Sequence, residues 1–117
     1  MTIPSEVSRG VVARSVAALS KGPNRLLGYV ENMSGYYCRD CDAIKPLFVS
    51  PEPVEAAQGR PSGLGIPCLG TVPFDPELAR HCDMGIPLAE LPDTPVGRAL
   101  DHVARQLLDA LDREHDR

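Results

Sequence analysis

Leu26-Leu27-Gly28-Tyr29-Val30-Glu31-Asn32-Met33 is short, apolar at its start and rich in residues that suit a strand. It runs directly into Ser34-Gly35-Tyr36-Tyr37-Cys38-Arg39-Asp40-Cys41. The first half predicts a largely buried strand. The second half predicts a loop or small excursion, from Ser34 to Phe48, that carries a C-x-x-C pair. Upstream, Ser5 to Lys21 predicts a helix with Ser5 as its N-cap, Val7, Val11, Ala18 and Leu19 as its apolar side, and Arg9, Arg14 and Lys21 towards solvent. Gly22-Pro23 ends it, a residue free to take positive φ followed by a helix breaker. Met1 to Pro4 reads as the tail of a preceding strand.

Downstream, Ser50-Pro51-Glu52 predicts a short helix reaching about Gln58 and stopping at Gly59. Cys68-Leu69-Gly70-Thr71-Val72-Pro73 predicts a second strand, and Asp75-Pro76-Glu77 starts a brief helix closed by Gly85. Thr94-Pro95 opens the clearest helix, with Val96, Leu100, Val103, Leu107 and Leu111 as its stripe and Arg98, Asp101, Arg105 and Asp109 outside it. Helices alternating with short apolar strands predict an α/β fold with a parallel sheet. Only about three strands are visible, few for a doubly wound sheet. No internal repeat, low-complexity tract or linker divides residues 1–117, so one domain is expected.

Composition narrows the function. The 117 residues include 12 prolines and 10 glycines, so short elements joined by frequent turns are expected, and with two Phe, three Tyr and no Trp the core rests on aliphatic side chains. A formal net charge of −4 speaks against general nucleic-acid binding. No apolar run approaches the roughly 20 residues that span a bilayer, and Met1-Thr2-Ile3-Pro4-Ser5-Glu6 lacks the basic and apolar regions of a secretory signal. A soluble cytoplasmic protein is the expectation.

Of the four cysteines, 38, 41, 68 and 82, only Cys38 and Cys41 are closely spaced. Two intervening residues let both thiolates face one point when the chain turns back. That geometry suits Zn²⁺, an iron–sulfur cluster or a reversible disulfide, and by itself does not choose among them. It supplies two of four ligands. Cys68 reads as a small buried core residue. Cys82 reads as half-buried beside a surface His81, because adjacent helical residues point about 100° apart and rarely converge on one ion. The simpler route to four ligands is two chains, each giving Cys38 and Cys41 across a two-fold axis. A thioredoxin-like role is weakly supported, since the residues around the pair do not read as a helix start.

Val30-Glu31-Asn32-Met33-Ser34-Gly35-Tyr36-Tyr37-Cys38-Arg39-Asp40-Cys41 strongly resembles the V-E-N-M-S-G-F-C-x-x-C segment of the Mrp-like (ApbC) iron–sulfur carrier ATPases, relatives of MinD and ParA. Thr2-Ile3-Pro4-Ser5-Glu6-Val7-Ser8 is similar to that family's T-T-P-x-E-V-x. Gly65-Ile66-Pro67-Cys68-Leu69-Gly70-Thr71-Val72-Pro73-Phe74-Asp75-Pro76 is similar to its G-V-P-x-L-G-x-I-P-x-D-P, and Asp83-Met84-Gly85-Ile86-Pro87-Leu88 to its D-x-G-x-P-I. The resemblance covers nearly the whole chain, and the cysteine block is its most specific part. It implies the C-terminal portion of a P-loop NTPase-type parallel sheet with flanking helices. It also implies a homodimer holding a 4Fe–4S cluster between subunits, through Cys38 and Cys41 of each, for transfer to apo iron–sulfur proteins. Asn32 would contact the adenine of ATP, with Pro73 and Phe74 bordering the same base. Read without the resemblance, Asn32 is a strand-end residue capping its own backbone.

The departures from the family pattern are also specific. The lysines are Lys21 and Lys45, and neither follows a glycine or precedes Ser/Thr, so the chain has no Gly-Lys-Ser/Thr phosphate-binding loop. The acidic Mg²⁺-binding segment expected upstream is missing too, and Phe48-Val49-Ser50-Pro51-Glu52-Pro53 stands where the family has a glycine-rich stretch. The ATP site is therefore incomplete, and ATP hydrolysis by this chain alone is not expected. A carrier fragment working with an N-terminal P-loop half, truncated or separately encoded, is the leading reading. Against it stand a non-catalytic C-x-x-C zinc module and a thiol–disulfide protein.

Overall fold

The computed structural model describes residues 1–47, 64–90 and 93–116. The helix expected from Ser50 to about Gln58 lies outside the described residues. The elements run α1 (Glu6–Leu19), β1 (Tyr29–Cys38), β2 (Ala43–Lys45), β3 (Cys68–Phe74), α2 (Pro76–Asp83), a 3₁₀ turn (Leu88–Glu90) and α3 (Pro95–His115).

The three strands form one mixed sheet in the order β2-β1-β3. β1 and β3 are parallel, with Val30 opposite Gly70, Asn32 opposite Val72 and Tyr36 opposite Phe74. β1 and β2 form an antiparallel hairpin. On the other edge of β1 from β3, Thr2 bridges Glu31 in parallel. The bridge is held by Thr2 N–H on the Val30 carbonyl at 2.8 Å and Asn32 N–H on the Thr2 carbonyl at 2.6 Å. Of the segment Met1–Pro4, only Thr2 pairs with β1, as an isolated parallel bridge. The parallel α/β expectation holds, with the antiparallel hairpin as an addition.

Proline and glycine set the helix ends as their chemistry requires. Asp75 and Thr94 are extended N-caps whose side chains accept from Glu77 N–H and Gly97 N–H, each followed by a proline in the first turn. Ser5 occupies the N-cap of α1, yet its hydroxyl makes no capping bond. At the end of α2, Gly85 (φ +71°) lets Gly85 N–H reach the Cys82 carbonyl and Ile86 N–H reach the His81 carbonyl. This paired closure satisfies two otherwise orphaned carbonyls.

The core lies between the sheet and α3, where Leu64, Leu69, Val72, Val96 and Ala110 are buried. Gly70 sets how closely the layers approach. A Cβ there would lie 2.7 Å from Val103 Cγ2, on a backbone with φ +156° that other residues rarely adopt. The helix therefore rests directly on the β3 backbone.

Two expected faces are corrected. On α1, Ser8, Arg9, Val12, Ala13 and Val16 are half-buried, whereas Val7, Val11, Ala18 and Leu19 are exposed. Arg9 reaches Glu31 of β1 at 3.8 Å instead of facing solvent. The entry into the helix explains the rotation: Thr2 is fixed on β1, and its hydroxyl lies 3.4 Å from that of Ser8. On α3, Val96, Leu100 and Val103 turn inward as expected, but Leu107 and Leu111 are 40% and 44% exposed while Ala110 is buried. The last turns are seated by Ala110 and by an Arg25–Glu114 ion pair at 2.7 Å.

Candidate functional site

β1 starts three residues later than the sequence suggests, and it continues to Cys38 where a loop is expected. An irregularity between Asn32 and Tyr36, with Met33 at φ +53°, lets the strand leave the β3 ladder and rejoin it. Methionine rarely takes that conformation, so no residue pattern announces it. Past this point the strand pairs with β2, Tyr36 opposite Lys45 and Cys38 opposite Ala43. Gly35 is what permits the pairing: a Cβ would lie 2.5 Å from Ile44 Cγ2 and 3.0 Å from the Lys45 carbonyl. Arg39–Asp42 forms the turn, with Asp42 at φ +48° and the Tyr37 hydroxyl donating to Asp42 Oδ1 at 2.7 Å. Asp is among the few residues that tolerate that backbone.

The cysteine pair therefore sits at the tip of a hairpin. All of β2 is exposed, Cys41 is exposed and Cys38 is half-buried, and both are free thiols. The Cys41 backbone N–H, then the Cys41 thiol, and further the Asp40 N–H and the Lys45 charge, all favour the Cys38 thiolate and lower its pKa. The Cys38 sulfur in turn accepts the Cys41 thiol hydrogen bond and repels a second charge, which raises Cys41. Cys41 is thus a hydrogen-bonding neighbour of Cys38, and of the two Cys38 is the more readily ionised. A thiolate beside a thiol that an electrophilic metal would ionise is a fitting donor pair for soft metal centres.

Among the described residues no group of three or more His, Cys, Asp or Glu side chains is placed to hold a metal ion. Cys68 is not the buried core residue expected; it is exposed at the start of β3, its thiol 3.5 Å from the Gly70 carbonyl. The expectation for α2 is reversed as well. His81 is the half-buried member, with Nδ1 buried and without a hydrogen-bond partner among the described residues, and Cys82 is exposed. One residue of helix rotation separates the two outcomes.

Asn32 stands opposite Val72, where β1 leaves the β3 ladder, and Pro73 and Phe74 follow at the C-terminal end of β3. Ligands of open α/β sheets bind at that edge. Asn32 Oδ1 accepts from Met33 N–H at 2.9 Å, so the side chain caps the backbone at the left-handed Met33, inside β1 and not at its end. Pro73 is buried, and Phe74 is 36% exposed and meets Tyr36 of the hairpin at 6.2 Å between ring centroids. The strand end and the cysteine hairpin are thus neighbours.

Sequence reading gives Asp75 a helix start and a place in the family's P-x-D-P pattern, but no role in the site. In the structure it is 3% exposed; Oδ1 caps α2, and Oδ2 has no hydrogen-bond partner among the described residues. Arg39, the residue after Cys38, approaches Oδ2 at 3.9 Å. A contact between an exposed turn and a buried cap leaves no periodic signal by which to find it.

A parallel strand pair with helices about it, bearing a pair of free cysteines at an exposed hairpin tip, defines an α/β protein with a C-x-x-C hairpin beside its sheet. A family model described as ParA, NUBPL iron-transfer P-loop NTPase, matches residues 1–108, and the chain belongs to that family. It is 37% identical over 109 residues to the cytosolic Fe-S cluster assembly factor NUBP2 of Bos taurus, covering 92% of this chain and 39% of the relative. The human NUBP2 is 38% identical over 111 residues, covering 94% and 40%. The cytosolic Fe-S cluster assembly factor NBP35 of Eremothecium gossypii is 38% identical over 114 residues, covering 95% and 33%. The chain spans about a third to two fifths of the length of these curated relatives.

Proposed function

We propose that this chain carries an iron–sulfur cluster as cargo and passes it to apo-proteins in the cytoplasm. The observation that carries the reading is the cysteine pair itself. Two free cysteines in hydrogen-bonding reach of each other stand at an exposed hairpin tip, and among the described residues no third ligand joins them. Two copies related by a two-fold axis would bring four thiolates together, the usual complement of a 4Fe–4S cluster. A cluster held at such a tip stays accessible to an acceptor, as release requires. Cys38 and Cys41 are the proposed ligands in each chain, and the homodimer forms through their loop.

Asn32, Pro73 and Phe74 are proposed to border the adenine of ATP. Self-capping occupies the Asn32 oxygen, so the amide nitrogen is the group that would meet a base. The phosphates need a Gly-Lys-Ser/Thr loop that this sequence does not contain. A P-loop half outside residues 1–117 is the proposed source, and residues 1–117 are proposed to act as the C-terminal, cluster-bearing domain.

Anaerobic reconstitution with ferrous iron and sulfide tests the reading. A brown species with about one 4Fe–4S cluster per two chains is expected, together with a shift from monomer to dimer on loading. Colourless protein that binds zinc tightly would favour the interaction module instead. If Cys38→Ala loads as the wild type does, the carrier reading fails.

A further inference from the structure

Among the described residues, two side-chain contacts tie the cysteine hairpin to the end of β3, beside the Tyr36–Phe74 strand pairing. One is the Tyr36–Phe74 ring pair. The other joins Arg39, between the cysteines, to Asp75, immediately after β3. The Asp75 side chain is 1% exposed, whereas that of Arg39 is 46% exposed. Capping α2 explains one oxygen of Asp75, which takes the Glu77 N–H at 3.0 Å. It does not explain the charge or the second oxygen, since Asn or Ser caps a helix equally well. A buried carboxylate oxygen without a donor is costly unless a cation offsets it. At 3.9 Å the Arg39 guanidinium is an ion-pair partner just beyond hydrogen-bonding distance. Asp42, an acidic neighbour on the same turn, is engaged by the Tyr37 hydroxyl.

We propose that Asp75 is a positioning residue for the cysteine pair. Its buried carboxylate draws Arg39 onto the end of β3 and so fixes the turn that presents Cys38 and Cys41. The proposal deepens the carrier reading and rests on it for the consequence that cluster retention depends on Asp75. The orientation of the turn itself does not depend on that reading. Because Asp75 directly follows Pro73 and Phe74, any ligand that draws its carboxylate away would loosen the turn as well.

The test compares wild type, Asp75→Asn, Arg39→Gln, the double variant and Arg39→Lys in the full chain. Asn at 75 retains a cap and removes the charge. Hydrogen–deuterium exchange is read separately over the hairpin (36–45), over α2 and over α3. Each single variant is expected to speed hairpin exchange by roughly three- to fivefold, the scale of one ion pair. α3 should be unchanged, the double variant should be no faster than Asp75→Asn, and Arg39→Lys should recover part of the protection. A role confined to capping would instead speed exchange at the start of α2 and leave Arg39→Gln like the wild type; that outcome overturns the proposal. So do effects that multiply in the double variant. Should Asp75→Asn fail to fold, Arg39→Gln, in an exposed turn, decides alone. Reconstituted protein then adds a second readout, chelator-driven cluster loss, expected to accelerate in the same order. If the wild type takes up no cluster, the carrier reading fails, while the exchange result still decides whether Asp75 positions the turn.

Discussion

The sheet body and the cysteine hairpin are built on different principles. In the body, β3 lies in a parallel ladder under α3, with Leu69, Val72 and Val96 buried between them. Its contacts join residues far apart in sequence, so each one depends on the whole fold. In the hairpin, Tyr36, Tyr37 and Cys38 pair with Lys45, Ile44 and Ala43, all nearby in the chain, and β2 is exposed throughout. Local order of that kind opens at a lower free energy than a core does. The lesson is a division of labour: the body provides a fixed platform, and the hairpin holds its thiols on a part that can yield without unfolding the rest.

The strongest way to break the comparison is to damage the body. Leu69→Ala should cost about 2–4 kcal/mol, from lost burial plus the cavity left behind. Chemical denaturation would show it as a lowered midpoint, with hairpin and body signals lost together. If the hairpin kept its own protection after the body had melted, the platform idea would be wrong.

Damage to the hairpin should stay local. Gly35→Ala sets a methyl against Ile44 and the Lys45 carbonyl, so β2 must move away from β1. Amide exchange over 36–45 should rise to that of an open loop. The denaturation midpoint, which reports Leu69 and its neighbours, should shift by less than about 1 kcal/mol. A midpoint shift as large as that of Leu69→Ala would show that the hairpin belongs to the core.

The two regions also differ in how far they can be read from sequence. Capping residues, prolines and glycines locate the ends of α2 and α3, because their chemistry is local: Asp75-Pro76, Gly85 and Thr94-Pro95 act where they stand. The C-x-x-C spacing likewise places two sulfurs together. The rotation of α1 is not legible, since valines at 7, 11, 12 and 16 mark more than one side, and the choice is made by Thr2 sitting on β1. Cys68 begins an apolar strand yet lies exposed, because burial there depends on what covers the start of β3. The reach of β1 to Cys38 passes through a left-handed Met33, and the Arg39–Asp75 contact joins two loops. Both are tertiary facts with no local signature.

A smaller effect is expected from the caps of the body. Thr94→Ala removes the acceptor for Gly97 N–H and should cost about 1 kcal/mol. The same change at Ser5, whose hydroxyl makes no capping bond, should cost much less. Thermal melts of the two variants measure the difference directly. Equal losses would mean that the α1 cap engages in solution.

The smallest effect is electrostatic and sits on α2, at the junction of body and hairpin. Arg80 donates to Glu77 Oε2 at 3.0 Å, and this hydrogen bond with its charge holds the Glu77 carboxyl below the usual range. A carboxyl whose folded pKa is depressed adds stability above its unfolded pKa, near 4.3. That contribution is lost as pH falls through the lower folded value. The pair is exposed, so its share of total stability is slight and the titration itself is the better observable. In Arg80→Gln the Glu77 midpoint, followed by carboxyl NMR, should rise towards the ordinary glutamate value. Arg39 adds a weaker pull in the same direction, so Arg39→Gln should raise the midpoint by a lesser amount. If Arg80→Gln raises it and Arg39→Gln does not, the guanidinium of Arg39 spends its time away from the α2 N-terminus, and the hairpin is less firmly held to the platform than its contact with Asp75 implies.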